Sequence, residues 1–196
     1  MKPTYLPLGL ALVIFFFTGC QKNDNQSTSA NNFFKVEDQR HSIEKAAYVT
    51  LESNPILENM KALLFNSDGI SFDANSNREL IIKGKGKLMG FIIYGKKNDG
   101  LDNGDHFINL RPPFMEGDVA LGFYDLNWDE KDGLIRYEEN DGPSILAGKV
   151  TVLHKQDVVD LIFNFTTEHG KILTGQYNGP LQMNLIYRTE QIKFDN

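Results

Sequence analysis

Between Ala147 and Asn184 polar and apolar side chains change places almost residue by residue. Val150, Val152, Leu161, Phe163 and Phe165 fall on one phase, and Thr151, Leu153, Ile162, Asn164 and Thr166 on the other. A period of two is the geometry of a strand with one face toward a core. Lys155-Gln156-Asp157 and Glu168-His169-Gly170 interrupt the alternation and read as hairpin connections. Upstream, "LMGFIIYG" (residues 88–95) is apolar in both phases and predicts a central buried strand. "HFINL", "VALGFYDLNW" and "LIRYEE" are predicted strands as well. Turn dipeptides punctuate the chain: Asp68-Gly69, Asp99-Gly100, Asn103-Gly104, Asp132-Gly133, Asp141-Gly142, His169-Gly170 and Asn178-Gly179. This pattern predicts an all-β fold, an antiparallel two-sheet β-sandwich, with an up-and-down calycin-like β-barrel as the alternative. Only residues 42–65 invite a helix, a short one with Asn54 as cap and Pro55 in its first position.

The first thirty-two residues follow different rules. Leu8 to Phe17 form an apolar stretch behind a single cation, Lys2. It is about half of the ~20 residues a membrane-spanning helix needs, so it reads as a signal segment. Phe17-Thr18-Gly19-Cys20 resembles the lipobox of bacterial lipoproteins, in which the cysteine is acylated and becomes the first residue after cleavage. Lipid attachment at Cys20 also explains why the chain has one cysteine and no partner for it. The stretch "QKNDNQSTSANN" contains no aromatic or large aliphatic side chain and buries too little to offset the entropy of ordering. The expected organisation is a signal peptide over 1–19, a lipidated flexible tether over 20–32 and a single all-β domain over 33–196.

Charge narrows the partners. The chain has 20 basic and 26 acidic residues. An acidic balance disfavours nucleic acid, which is held by neutralising its phosphates. With Cys20 committed to lipid, no thiol remains for a disulfide, a zinc site or a nucleophile.

Motifs that suggest chemistry dissolve on inspection. Gly90 to Lys96 imitates the start of a phosphate loop, but Phe91-Ile92-Ile93-Tyr94 are strand residues and Lys97 stands where Ser or Thr would hold magnesium. No nucleotide or other cofactor is expected. His41, His106, His154 and His169 fall in four separate segments without metal-ligand spacing. Asp73-x-Asn75-x-Asn77 and Asp125-x-Asn127-x-Asp129 imitate the first half of a calcium loop, yet Arg78 and Glu130 replace the glycine and Gly84 and Arg136 the bidentate glutamate. No metal site and no catalytic residue is assigned. In the second stretch the alternation places Tyr124, Leu126 and Trp128 on one strand face and the acidic residues on the other. Trp128, with Tyr124 and Tyr137 beside the turn "DEKDG", is the candidate ligand-binding cluster, since an aromatic face at a strand end can stack on a sugar ring. The competing expectation is that Trp128 packs between the two sheets.

"NFFKV", "LLFNSDGI", "IKGKGKLMGFIIYG" and above all the final segment, with Gly170-Lys171-Ile172-Leu173-Thr174-Gly175-Gln176-Tyr177-Asn178-Gly179-Pro180-Leu181, resemble a family of outer-membrane lipoproteins of Bacteroides and its relatives. The resemblance implies an all-β fold and a lipoprotein life, and it brings no assigned chemistry. Polar and acidic residues after the lipidated cysteine resemble a surface export signal in such bacteria, of which Lys22-Asn23-Asp24 is a short version. The function expected is that of an outer-membrane-anchored, extracytoplasmic binding or adhesion module for a glycan, a peptide or a host surface. A structural or assembly partner in the envelope is the alternative, and a hydrolase a distant third. An exposed aromatic cluster would favour the first, a large dry apolar patch the second, and convergent perturbed carboxylates the third.

Overall fold

The computed structural model describes residues 31–52, 59–95, 101–130, 145–155 and 158–188. Cys20, Asn54, Pro55, Tyr137 and the predicted strand "LIRYEE" lie outside the described residues. The described strands, in chain order, are β1 (Phe33–Val36), β2 (Gln39–Ser42), β3 (Lys45–Glu52), β4 (Met60–Asn66), β5 (Ile70–Ala74), β6 (Leu80–Tyr94), β7 (Gly104–Phe107), β8 (Val119–Asp129), β9 (Ile145–Lys155), β10 (Val158–Thr167), β11 (Ile172–Gly179) and β12 (Leu181–Arg188). The fold is all-β, two packed sheets of which one curls into a half-barrel.

The first sheet runs β2-β1-β11-β10-β9-β7, antiparallel throughout. Its alternation is the one the sequence displays: Leu161, Phe163 and Phe165 are buried and Ile162 and Asn164 exposed. The buried phase meets the second sheet in a core dominated by rings. Phe65 and Phe91 lie 5.5 Å apart, and Phe163 stacks on Phe165 at 5.8 Å, in the tilted and offset geometries that aromatic quadrupoles favour. Each such buried side chain contributes about 2 kcal/mol.

The second sheet runs β12-β3-β4-β6, with β5 and β8 also on β6 and β12 parallel to β3. β4 and β5 lie along one edge of β6 in unbroken register, Asn66 opposite Leu88 and Ile70 opposite Gly84. The predicted turn at Asp68-Gly69 is therefore a kink within a long hairpin. Gly69 and Gly84 meet across it with φ of 88° and 98°. A Cβ on Gly84 would stand 2.0 Å from the Gly69 carbonyl oxygen, so only glycine fits. Buried Asn66 pins the bend, donating from Nδ2 to the Ile70 carbonyl and accepting from the Lys45 amide at 3.1 Å. Beyond the kink the hairpin tip reaches β12 on the far side of the sheet, where the Ile186 amide donates to the Arg78 carbonyl at 2.9 Å. This closure encloses a second core holding Leu64, Phe72, Leu88, Trp128 and Leu185.

Two cores on one sheet explain why the described parts of residues 42–65, where a helix is expected, are strand. In β3, Ala46 and Tyr48 face the inter-sheet core while Ala47, Val49 and Leu51 face the second. β4 is buried at every position. A strand apolar on both faces shows no period of two, and Lys, Ala, Leu, Met and Glu favour helix locally; burial on both sides overrides that preference.

At one corner the chain crosses between the two sheets twice, from Ser42 to Lys45 and from Gly179 to Leu181. Asn32 binds it, with its side chain accepting from the Asn178 amide at 2.8 Å and donating to the Asn178 carbonyl at 3.2 Å. Asn178-Gly179, expected as a turn, is instead the end of β11. Pro180, which has no amide to satisfy, carries the crossing.

Candidate functional site

The aromatic cluster expected around Trp128 does not form a common face. Tyr124 is 4 % and Trp128 3 % exposed, and they belong to different cores, Tyr124 to the inter-sheet core and Trp128 to the one inside the curl. The cause is a bulge. Leu88 pairs with Asp125 but Gly86 with Trp128, so β8 spends one residue more than β6. An extra residue inverts which face the following side chains take. The single strand face predicted for Tyr124, Leu126 and Trp128 is corrected on this ground: Leu126 packs with Tyr124, and Trp128 on the opposite side. Tyr137 lies outside the described residues.

The two calcium-like stretches are structural. The Asp125 carboxylate accepts from the Asn127 amide at 2.7 Å, Asp129 pairs with Lys85, and Glu130 accepts from the Gly84 amide at 3.1 Å. In the other stretch Asp73 pairs with Lys83 at 3.1 Å, and Asn75 closes the hairpin tip by accepting from the amides of Asn77 and Glu79. Among the described residues no three His, Cys, Asp or Glu side chains converge as metal ligands would. The histidines stay apart. His106 is buried between the Gly117 and Asp102 carbonyls at 2.9 Å each, and His41 packs on Phe34 with its ring centroid 5.0 Å away. Burial, and then the Lys87 charge, lower the His41 pKa.

A hollow of about 360 Å³ opens at the corner between the sheets, walled by Asn32, Ala46, Tyr177 and Gly179 to Gln182. Its polar groups serve the crossing: Asn32 holds Asn178, and the Tyr177 hydroxyl donates to the Pro180 carbonyl at 2.6 Å. Burial pushes the Tyr177 phenol up to about 12.

The outer face of the first sheet has a different character. Its register lines side chains up in rows across the strands. One row runs Asp105, Thr151, Ile162, Gln176, Phe33, Ser42, and the next Phe107, Lys149, Asn164, Thr174, Lys35, Arg40. On this face Ile162 is 58 % and Phe107 57 % exposed, with Leu153 and Ile172 also open to solvent. Isoleucine and phenylalanine so exposed contribute little to either core and are available to a partner. The polar members are organised around Asp105, which accepts from Lys149 at 2.6 Å and from Thr151 at 2.5 Å. These two contacts, Lys149 first, hold the Asp105 carboxyl below the usual carboxylate range. At the other edge the Arg40 guanidinium lies 3.7 Å over the Phe33 ring. The face therefore offers apolar side chains, hydroxyl and amide groups and fixed charges on a rigid platform.

No sequence motif assigns these residues a function. The signal was nonetheless present, because Leu153 and Ile162 stand on the phase that Thr151 and Asn164 mark as outward. Comparisons with protein-family models, with curated proteins and with solved structures each find no match for this chain.

Proposed function

We propose that this protein is a lipoprotein anchored through Cys20 to the outer membrane of a Bacteroides-like bacterium, and that it acts there as an extracytoplasmic binding or adhesion module. Its binding surface is the outer face of the first sheet, β2-β1-β11-β10-β9-β7. The observation that carries the reading is the exposure of Ile162, Phe107, Leu153 and Ile172 on one regular face, interleaved with hydrogen-bonding side chains. A strand platform holds such groups in fixed positions, which lowers the entropy lost on binding. The tether suits display, because the ten residues between Cys20 and Asn31 would reach up to ~35 Å if extended and could lift the face clear of the membrane.

The test places a ring in the middle of the platform. Thr174 lies on the outward phase of β11, a central strand of the sheet. Thr174→Trp should leave the fold intact, since a large aromatic residue suits a strand, and should block whatever occupies the face. With a soluble Cys20→Ser protein applied to arrays of glycans, peptides and host-cell surfaces, binding is expected in the parent and lost in the Thr174→Trp variant. Equal binding by both would overturn the assignment of the surface.

A further inference from the structure

We propose, resting on the reading that this face binds, that its ligand is an acidic polysaccharide laid across the strands along the row Arg40, Lys35, Thr174, Asn164, Lys149 and Phe107. The cross-strand register puts these six side chains side by side on the outward phase. With strands about 4.8 Å apart, the row spans roughly 24 Å, and Lys35 and Lys149 stand roughly 14 Å from each other.

Charge singles the row out. It holds three cations and no carboxylate, on a chain whose formal net charge is −6. The two lysines are met by carboxylates from outside the row: Asp38 reaches Lys35 at 3.2 Å from the β1–β2 turn, and Asp105 reaches Lys149 at 2.6 Å from the adjoining row. Both are solvent-exposed pairs, which hold weakly and can be exchanged for, or shared with, an anionic ligand. Aromatic rings steady the cationic heads, Phe33 beneath Arg40 and Phe107 with its centroid 5.9 Å from the Lys149 ammonium. Between the charged ends stand Thr174 and Asn164, neutral donors and acceptors suited to hydroxyl groups. Cations at both ends, a hydroxyl-matching centre and an aromatic terminus match a chain that carries acid groups at intervals and hydroxyls between them. Nucleic acid fits less well, because the centre of the row has no aromatic side chain on which a base could stack.

The experiment uses the Cys20→Ser protein and four probes: polygalacturonate, heparin, neutral dextran and single-stranded DNA. Binding is expected for an acidic polysaccharide and not for dextran, and it should weaken steeply as salt rises. The Lys35→Gln, Lys149→Gln double variant should lose roughly tenfold in affinity, since each cation released from the contact weakens a polyanion complex. Thr174→Trp should abolish binding altogether. Dextran binding that survives the lysine substitutions but is lost in Thr174→Trp would overturn the acidic ligand and leave the binding face standing. Polysaccharide binding unchanged by Thr174→Trp, or no binding of any probe, would overturn the inference and count against the face as well. DNA bound as tightly as the polysaccharide would overturn the ligand class. Because all the substituted side chains point to solvent, circular dichroism of each variant should match the parent.

Discussion

Tyr177 shows how one side chain serves several levels of the structure. Its ring packs edge-on to Phe65 in the inter-sheet core, and its hydroxyl holds the Pro180 carbonyl where the chain leaves one sheet for the other. Burial raises its pKa from 10.0 to about 12. The folded protein therefore keeps the phenol neutral where the unfolded chain would ionise it. Stability from this group is complete below pH 10 and is lost as pH rises from 10 toward 12. Tyr177→Phe should cost about 1 kcal/mol at pH 8, for the hydrogen bond. The variant should fall behind the parent by less at pH 11 than at pH 8, a comparison that urea denaturation at the two pH values makes directly. An equal gap at both would show that ionisation of Tyr177 has no part in alkaline unfolding. Trp128 makes a complementary point. Residue type alone marks an aromatic side chain as both a good core residue and a good sugar platform, and its position inside the curl makes it core.

The long hairpin of β4, β5 and β6 is the element that gives the second sheet its shape. Its kink depends on two glycines facing each other at positive φ, with Ser67 hydroxyl and Lys87 amide joined at 2.9 Å beside them. Gly84→Ala would force a Cβ into the Gly69 carbonyl and hold alanine in a left-handed backbone. A loss of about 2 kcal/mol or more is expected, seen as a lower denaturation midpoint. Gly95→Ala is the matched control, since a Cβ there meets nothing within 4 Å, and it should be nearly neutral. A Gly84→Ala protein as stable as the Gly95→Ala protein would mean the kink is not under constraint. The bulge in β8 acts at the same scale with the opposite visibility. It moves Trp128 from one core to the other, and no residue type in "GFYDLNWD" announces it.

At the scale of the molecule, the proposed function divides the work between an anchor and a platform. If Cys20 carries lipid, labelled palmitate should enter the parent protein, and Cys20→Ser should move to the soluble fraction. Two or more acyl chains at about 0.8 kcal/mol per buried methylene hold a protein stably, whereas their loss leaves only the acidic domain, which an anionic membrane does not attract. Equal membrane retention of both proteins would refute the anchor. The corner at Asn32 also fixes where a tether would leave the domain: Asn31 and Asn32 sit against Gln176 and Asn178, at one end of the proposed binding face.

What the sequence by itself determined is what depends on neighbours along the chain. The all-β class and the three strands from β9 to β11 follow from a period of two, since each of those strands has one face in a core and one in water. The outward phase of these strands, with Ile162 and Leu153 among polar residues, was legible for the same reason. Tertiary structure alone decided the rest. β3 and β4 are strands because cores on both sides of their sheet reward burial in both phases, a condition set by the distant hairpin tip closing on β12. Trp128 and Tyr124 part company because β8 must match the register of β6. The row from Arg40 to Phe107 exists only because six strands, drawn from residues more than a hundred positions apart, hydrogen-bond in one order. Local pattern reports which faces a strand turns to core and solvent, whereas the neighbours it brings side by side are set by pairing between segments that the sequence keeps far apart.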